Sequence, residues 1–250
     1  MNTPAPVNKA IDFYNQLVPL AYDQKDEIGR LAWKLQSLHH KDHRDLDASV
    51  ALLSALSMLG KANEAHDLAN EIWAHRFLLK PQAAATYKSN LFKIGEWDRF
   101  YSLSTSLSGG TAHPKDQEAY SVITGDAEYL RSLSNVSEND PRFVALAVTM
   151  AKAGILDFFT GHQSTVHRSL GGRFTNLAYA VFNEEDSDDV NLNCVYFIDA
   201  PLSERRAIES RIDSDLAAYY LSQGVEPSIY STILISMVCD IDSHPVVVSS

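Results

Sequence analysis

Leu59-Gly60-Lys61-Ala62-Asn63-Glu64-Ala65 and Ile94-Gly95-Glu96-Trp97-Asp98-Arg99-Phe100 are two versions of one turn, set 35 residues apart. Aligned on their glycines, Leu56 falls opposite Leu91 and Leu59 opposite Ile94. Beyond the glycine, Ala65 matches Phe100, Leu68 matches Leu103 and Ile72 matches Leu107. These offsets have helical spacing on both sides of a break. Glycine ends the first helix of each unit because it enters the left-handed conformation at little cost. Asn63 and Asp98, three residues further on, are suited to capping the next helix. A repeat in this length range signals stacked helical hairpins. Residues 46–107 therefore read as helix, turn and helix, written twice.

Weaker copies follow at Thr124-Gly125-Asp126-Ala127-Glu128-Tyr129-Leu130 and Ala153-Gly154-Ile155-Leu156-Asp157-Phe158-Phe159, after steps of 30 and 29 residues. Pro81, Pro114 and Pro141 are placed to open first helices, where a missing N–H is not needed. Upstream, residues 8–20 form a short helical pattern (Ile11, Tyr14, Leu17, Val18) halted at Pro19, and residues 26–38 a longer one with Ile28, Leu31, Trp33 and Leu35. Trp73, Phe77, Tyr87, Phe92, Trp97 and Tyr101 are spaced as packing residues between helices.

The turns resemble those of the tetratricopeptide (TPR) family, whose inter-helix turn runs Gly-Asp-Tyr-x-x-Ala or similar. Gly60…Ala65 fits both small positions, and Gly95-Glu96-Trp97…Phe100 fits with Trp for Tyr and Phe for Ala. Leu53 and Lys88 stand where that family keeps a small residue, so the likeness is one of architecture. The resemblance implies a concave groove, lined by the first helix of each hairpin, that takes a peptide or a partner helix. Counted from the turn glycines, the groove positions are Val50, Ser54 and Ser57, then Gln82, Ser89 and Phe92, then Lys115 and Ala119.

After Gly161 the pattern changes. Residues 162–172 read as a polar linker. Residues 174–182 and 192–198 are rich in β-formers and flank an acidic turn, Glu184-Glu185-Asp186-Ser187-Asp188-Asp189. Pro201 opens a helix with Leu202, Ile208, Ile212, Leu216 and Tyr219 apolar, ending near Gln223-Gly224. Residues 229–238 form a third strand, and residues 244–250 an edge strand or tail. The expected architecture is an α-helical repeat domain of TPR-like hairpins over residues 8–160, then a small α/β domain of β-β-α-β order over residues 170–250.

The 21 basic and 32 acidic side chains leave a net charge of −11, spread unevenly. Residues 1–160 hold 16 basic and 19 acidic groups, a balance of −3; residues 161–250 hold 5 and 13, a balance of −8. That argues against nucleic acid as a partner, because phosphate contacts need clustered Lys and Arg. No apolar run nears the roughly 20 residues of a membrane span. With no signal-peptide pattern at the N-terminus and two cysteines, Cys194 and Cys239, the expected setting is cytoplasmic.

Three groups of residues carry candidate chemistry. Asp199, Asp240 and Asp242 follow the second and third strands. Were those strands parallel, the carboxylates would share the edge where open α/β sheets bind ligands, and could hold Mg²⁺. His39, His40 and His43 with Asp42 and Asp45 read as a solvated inter-helix loop rather than a metal site. The groove is the third. Function is thus expected to be that of a non-enzymatic adaptor holding a protein or peptide partner. The alternatives are a metal-dependent hydrolase or nucleotide-handling enzyme, and a homodimer formed through the α/β part.

Overall fold

The computed structural model describes residues 8–133, 141–183 and 190–242. The helical part begins with α1 (Lys9–Leu17), α2 (Lys25–Lys41), α3 (Leu46–Met58), α4 (Ala62–Ala74), α5 (Pro81–Lys93) and α6 (Trp97–Leu107). It continues with α7 (Pro114–Thr124), α8 (Ala127–Leu133), α9 (Pro141–Lys152) and α10 (Phe159–Leu170). Helices pack on their chain neighbours, and α1, α3 and α5 also pack side by side. Three prolines open α5, α7 and α9, as expected.

All four repeated turns close in the same way. The amide of the residue after the glycine reaches back to a carbonyl five residues earlier: Lys61 to Leu56, Glu96 to Leu91, Asp126 to Ser121 and Ile155 to Met150, at 2.8–3.0 Å. This is the glycine C-cap, and Gly60, Gly95, Gly125 and Gly154 have φ of +75°, +85°, +76° and +70°. Asn63 and Asp98 do not cap, because α4 and α6 begin earlier, at Ala62 and Trp97; the cap positions are Lys61 and Glu96, without a side-chain hydrogen bond. In the second helices Ala65, Leu68, Ile72, Phe100 and Leu103 are buried, while Leu107 is half-exposed. Phe77 and Trp33, expected in the packing, point outward at 80% and 68% exposure. Phe77 lies beyond α4 in a short 3-10 turn, where Arg76 is held between its ring and that of Trp73.

α3 is the axle of the first half. Asp45 caps it by accepting from the Ala48 amide, and the residues from Ala48 to Ser57 are all buried. A helix apolar on nearly every side is covered on every side, here by α1, α2, α4 and α5.

The last part is a three-stranded mixed sheet with one long helix. β1 (Asn176–Asn183) pairs antiparallel with β2 (Val190–Ile198), Asn176 opposite Phe197. β2 pairs parallel with β3 (Leu234–Asp240), Leu192 opposite Leu234. Between them α11 (Leu202–Ser222) buries Ile208, Ile212, Leu216 and Tyr220 along one stripe. At the outer edge of β3 the Val238 amide donates to the Glu209 carboxylate of α11, at 3.1 Å.

Two expectations are corrected. Residues 162–172 are no linker: most of them form α10, which packs on α11 and α7. Several of its polar groups are paired inside, though the buried Gln163 Oε1 accepts no hydrogen bond among the described residues. Gln163 donates to the Val122 carbonyl at 2.8 Å, Ser169 to Asp215 at 2.6 Å, and His162 pairs with the Tyr220 hydroxyl at 3.2 Å. The third strand starts at Leu234 rather than near 229, because Pro227 opens a one-turn helix, α12 (Pro227–Tyr230). The acidic turn at 184–189 and the segment 244–250 lie outside the described residues.

Buried apolar side chains form two clusters. One runs from Ala10 to Leu103 through α1–α6, the other from Val122 to Val238 through α7–β3, with Phe92 against both. Their seam is intimate. Ser57 donates to the Thr175 carbonyl, and Trp97 stacks on Phe174 with ring centres 5.9 Å apart and meets His167 tilted, at 4.2 Å.

Candidate functional site

The strand-end carboxylates sit as the topology required, Asp240 opposite Ile198, with Asp199 one residue on. Each is engaged by a cation. Lys25, at the start of α2, lies 3.4 Å from Asp199 and 3.3 Å from Asp242, and Arg205 is 3.0 Å from Asp240. Burial opposes the Lys25 ammonium, but hydrogen bonds and charges from Asp242 and Asp199 outweigh it and raise its pKa. Among the described residues no group of three or more His, Cys, Asp or Glu side chains is arranged to hold a metal ion. The edge joins the sheet to α2.

The histidine run is only in part the expected solvated loop: His43 lies in the exposed connection after α2, but His39 does not. α2 carries on through Lys41, which buries His39 against Ser49 at 3.0 Å, with Glu71 at 3.5 Å. Burial lowers the His39 pKa. Cys194 is buried, and burial pushes its thiol up to about 12, against the thiolate needed for reactivity.

Between α1, α3 and α5 the surface opens into a cleft with two halves that share Tyr14 and Thr86. One half, about 350 Å³, is lined by Ile11, Val50, Ala51, Ala83 and Gln82, with the Lys80–Asp47 ion pair at its edge. The other, about 520 Å³, lies under the α1–α2 connection and is lined by Leu17, Val18, Leu20 and Tyr22 on one side. Ser54, Ser57, Met58, Ser89, Asn90 and Lys93 line the opposite side. So Ser54, Ser57 and Ser89 meet in one half and Gln82 and Val50 in the other.

Phe92 and Lys115 stand apart. Phe92 packs between Phe100 and Tyr179 of β1, ring centres at 5.1 and 6.2 Å. Lys115 is exposed at the start of α7. The reason is the sheet: β1 lies against α5 and α9 and fills the hollow of the later units with the chain's own residues. Tyr14, Tyr22 and Lys93 were not among the groove positions counted from the glycines. The apolar pattern of residues 8–20 was a usable signal for Tyr14, once α1 is taken as a first helix beside α3.

Many polar groups in the larger half are committed. The Ser54 hydroxyl donates to the Val50 carbonyl at 3.2 Å and accepts from Asn90 at 2.8 Å, and the Tyr22 hydroxyl accepts from Asn176 at 2.9 Å. Lys93 is not: among the described residues its ammonium has no hydrogen-bond or ion-pair partner, and burial alone shifts its pKa, downward.

No protein-family model, curated protein or solved structure matches the chain. Among the described residues no single helix is long and apolar enough to cross a membrane; Pro141–Lys152 and Leu156–Leu170 pass that test only together, bent by 102°.

Proposed function

We propose that this protein is a non-enzymatic adaptor whose tetratricopeptide-like hairpins hold a peptide segment of a protein partner in the α1–α3–α5 cleft. One observation carries the reading. Two adjoining pockets, about 350 and 520 Å³, lie along three first helices, on the side where that family binds peptides, and the chain's own sheet leaves them open. The apolar half offers Ile11, Tyr14, Val50 and Ala83 to side chains, and the rim offers Gln82 and Ser89. Buried apolar contact with a few placed polar groups is the usual make-up of a peptide groove. The hydrolase reading lacks comparable support, because Asp199, Asp240 and Asp242 are held by Lys25 and Arg205. So does dimerisation through β3, whose Val238 amide is already bonded.

The test is a peptide-display selection on the full chain, with enriched peptides titrated against wild type and an Ala83→Trp variant that fills the apolar half. Micromolar peptides whose affinity falls at least tenfold in the variant, at unchanged melting temperature, support the groove. A selection that enriches nothing, or peptides indifferent to the variant, removes it.

A further inference from the structure

The larger half of the cleft has a chemistry of its own. Lys93 sits in the last turn of α5, half-buried, and among the described residues it is the only charged side chain lining this half. Among the described residues no carboxylate answers it, although the chain carries an excess of acidic groups. A half-buried ammonium without an acceptor is costly in the empty protein, since charge is drawn out of water with nothing to replace it. Its pKa, lowered by burial, expresses that cost. An anion placed against Lys93 would remove it.

The surroundings narrow the anion. There is one cation and no arginine fork, so a phosphate dianion would be left with uncompensated charge. Ser89, exposed on α5, can add a hydroxyl donor. The wall under the α1–α2 connection is apolar, with Leu17, Val18 and Leu20 and the rings of Tyr14 and Tyr22, while Met58 stands on the opposite side among Ser54, Ser57, Thr86 and Asn90. We propose that this half of the cleft is a binding site for a small organic monocarboxylate with an apolar or aromatic body, its carboxylate on the Lys93 ammonium and its body between the α1–α2 connection and Met58. The site goes beyond the peptide reading and does not rest on it, because a free acid fits whether or not a peptide occupies the Ile11–Ala83 half.

The experiment is calorimetric titration of the full chain with 3-phenylpropanoate, its neutral amide, acetate and inorganic phosphate. Wild type is run beside Lys93→Met, which keeps the length of the side chain and removes its charge. The expected result is millimolar or tighter binding of 3-phenylpropanoate, with the amide, acetate and phosphate each at least tenfold weaker. Lys93→Met is expected to lose at least tenfold for the acid while binding the amide as before. Should Lys93→Met fail to fold, Ser89→Trp, at an exposed position on the rim, is expected to block the acid in its place. Equal affinity for acid and amide overturns the proposal, as does a Lys93→Met variant that binds the acid like wild type. So does the absence of any binding by wild type up to about 10 mM, an affinity that weak leaving only about 3 kcal/mol of association. A terminal carboxylate is the other source of this chemistry. A peptide with a free C-terminal phenylalanine that binds tightly, where 3-phenylpropanoate does not, would assign the anion to a peptide and overturn the small-acid site.

Discussion

The turns at Gly60, Gly95 and Gly125 and the turn at Gly154 share a positive-φ glycine and the same closing bond from the residue after it, but they differ in what stands over them. Over Gly60 a Cβ would come within 2.5 Å of Asp199 Cβ, and over Gly95 within 2.8 Å of the Phe174 ring tip. Over Gly125 it would meet the Phe159 carbonyl oxygen at 2.5 Å and Thr160 Cα at 2.7 Å. At Gly154 nothing lies within 4 Å. Three glycines thus answer two demands, a positive φ and a close neighbour, and the fourth answers only the first. Repetition in the sequence reports the demand all units share. The second comes from α10 and the sheet, which settle on the turns of the helical stack, so the two parts are fitted to each other at the residues that define the repeat.

That contrast can be broken most sharply at Gly125. Its neighbours are backbone atoms, which cannot rotate away, so Gly125→Ala is expected to cost more than about 3 kcal/mol, read as a fall in the urea midpoint. Gly60→Ala and Gly95→Ala should follow in that order, at about 3 and about 2 kcal/mol, because Asp199 must move its backbone while Phe174 can tilt a ring. A Gly95→Ala variant as damaged as Gly125→Ala would mean that the seam is more rigid than its contacts imply.

Acid attacks the same seam from the other side. Burial lowers the His162 pKa to about 3 and the His167 pKa to about 4, and His167 lies between Trp97 and the Tyr196 hydroxyl. Both pKa values fall below the unfolded value near 6.5, so the unfolded chain binds protons first. Their contribution is whole above pH 6.5 and drains as pH drops toward 3–4. At pH 5 His162 alone is expected to forfeit about 2 kcal/mol. Urea titrations at pH 7 and pH 5 check this, with His162→Gln expected to flatten the difference.

Gly154→Ala sets the baseline, at about 1–2 kcal/mol for the backbone alone. If it equals Gly125→Ala, the contrast between covered and open turns is wrong. The smallest effect is at Lys25→Met, whose half-exposed ion pairs to Asp199 and Asp242 should contribute no more than about 1 kcal/mol and fade with salt.

Legibility in the sequence followed how local the cause was. Helix ends marked by Gly60, Gly95, Pro81 and Pro114, and the β-β-α-β order, were readable because turn chemistry and periodicity are properties of neighbours in the chain. α10 was not, because His162, Gln163, His167 and Ser169 look like a linker until Tyr220, Val122, Tyr196 and Asp215 come from far along the chain to meet them. The cleft was half readable. Ser54, Ser57, Gln82 and Ser89 lie where spacing from the glycines put them. Phe92 was taken by Tyr179, and Lys93 gave no signal, since a lysine in a last helical turn reads as an ordinary partner of the helix dipole.

One carboxylate bears on how this chain behaves in a crowd. A three-stranded sheet that ends in an unguarded parallel strand is a template, and each chain that docks on it offers the next one a fresh edge. Glu209 holds the Val238 amide from within the same molecule, so an incoming strand would have to evict a charged side chain before it could pair at that position. The reach of one helix side chain thus lowers what an incoming strand could gain at that point of the edge.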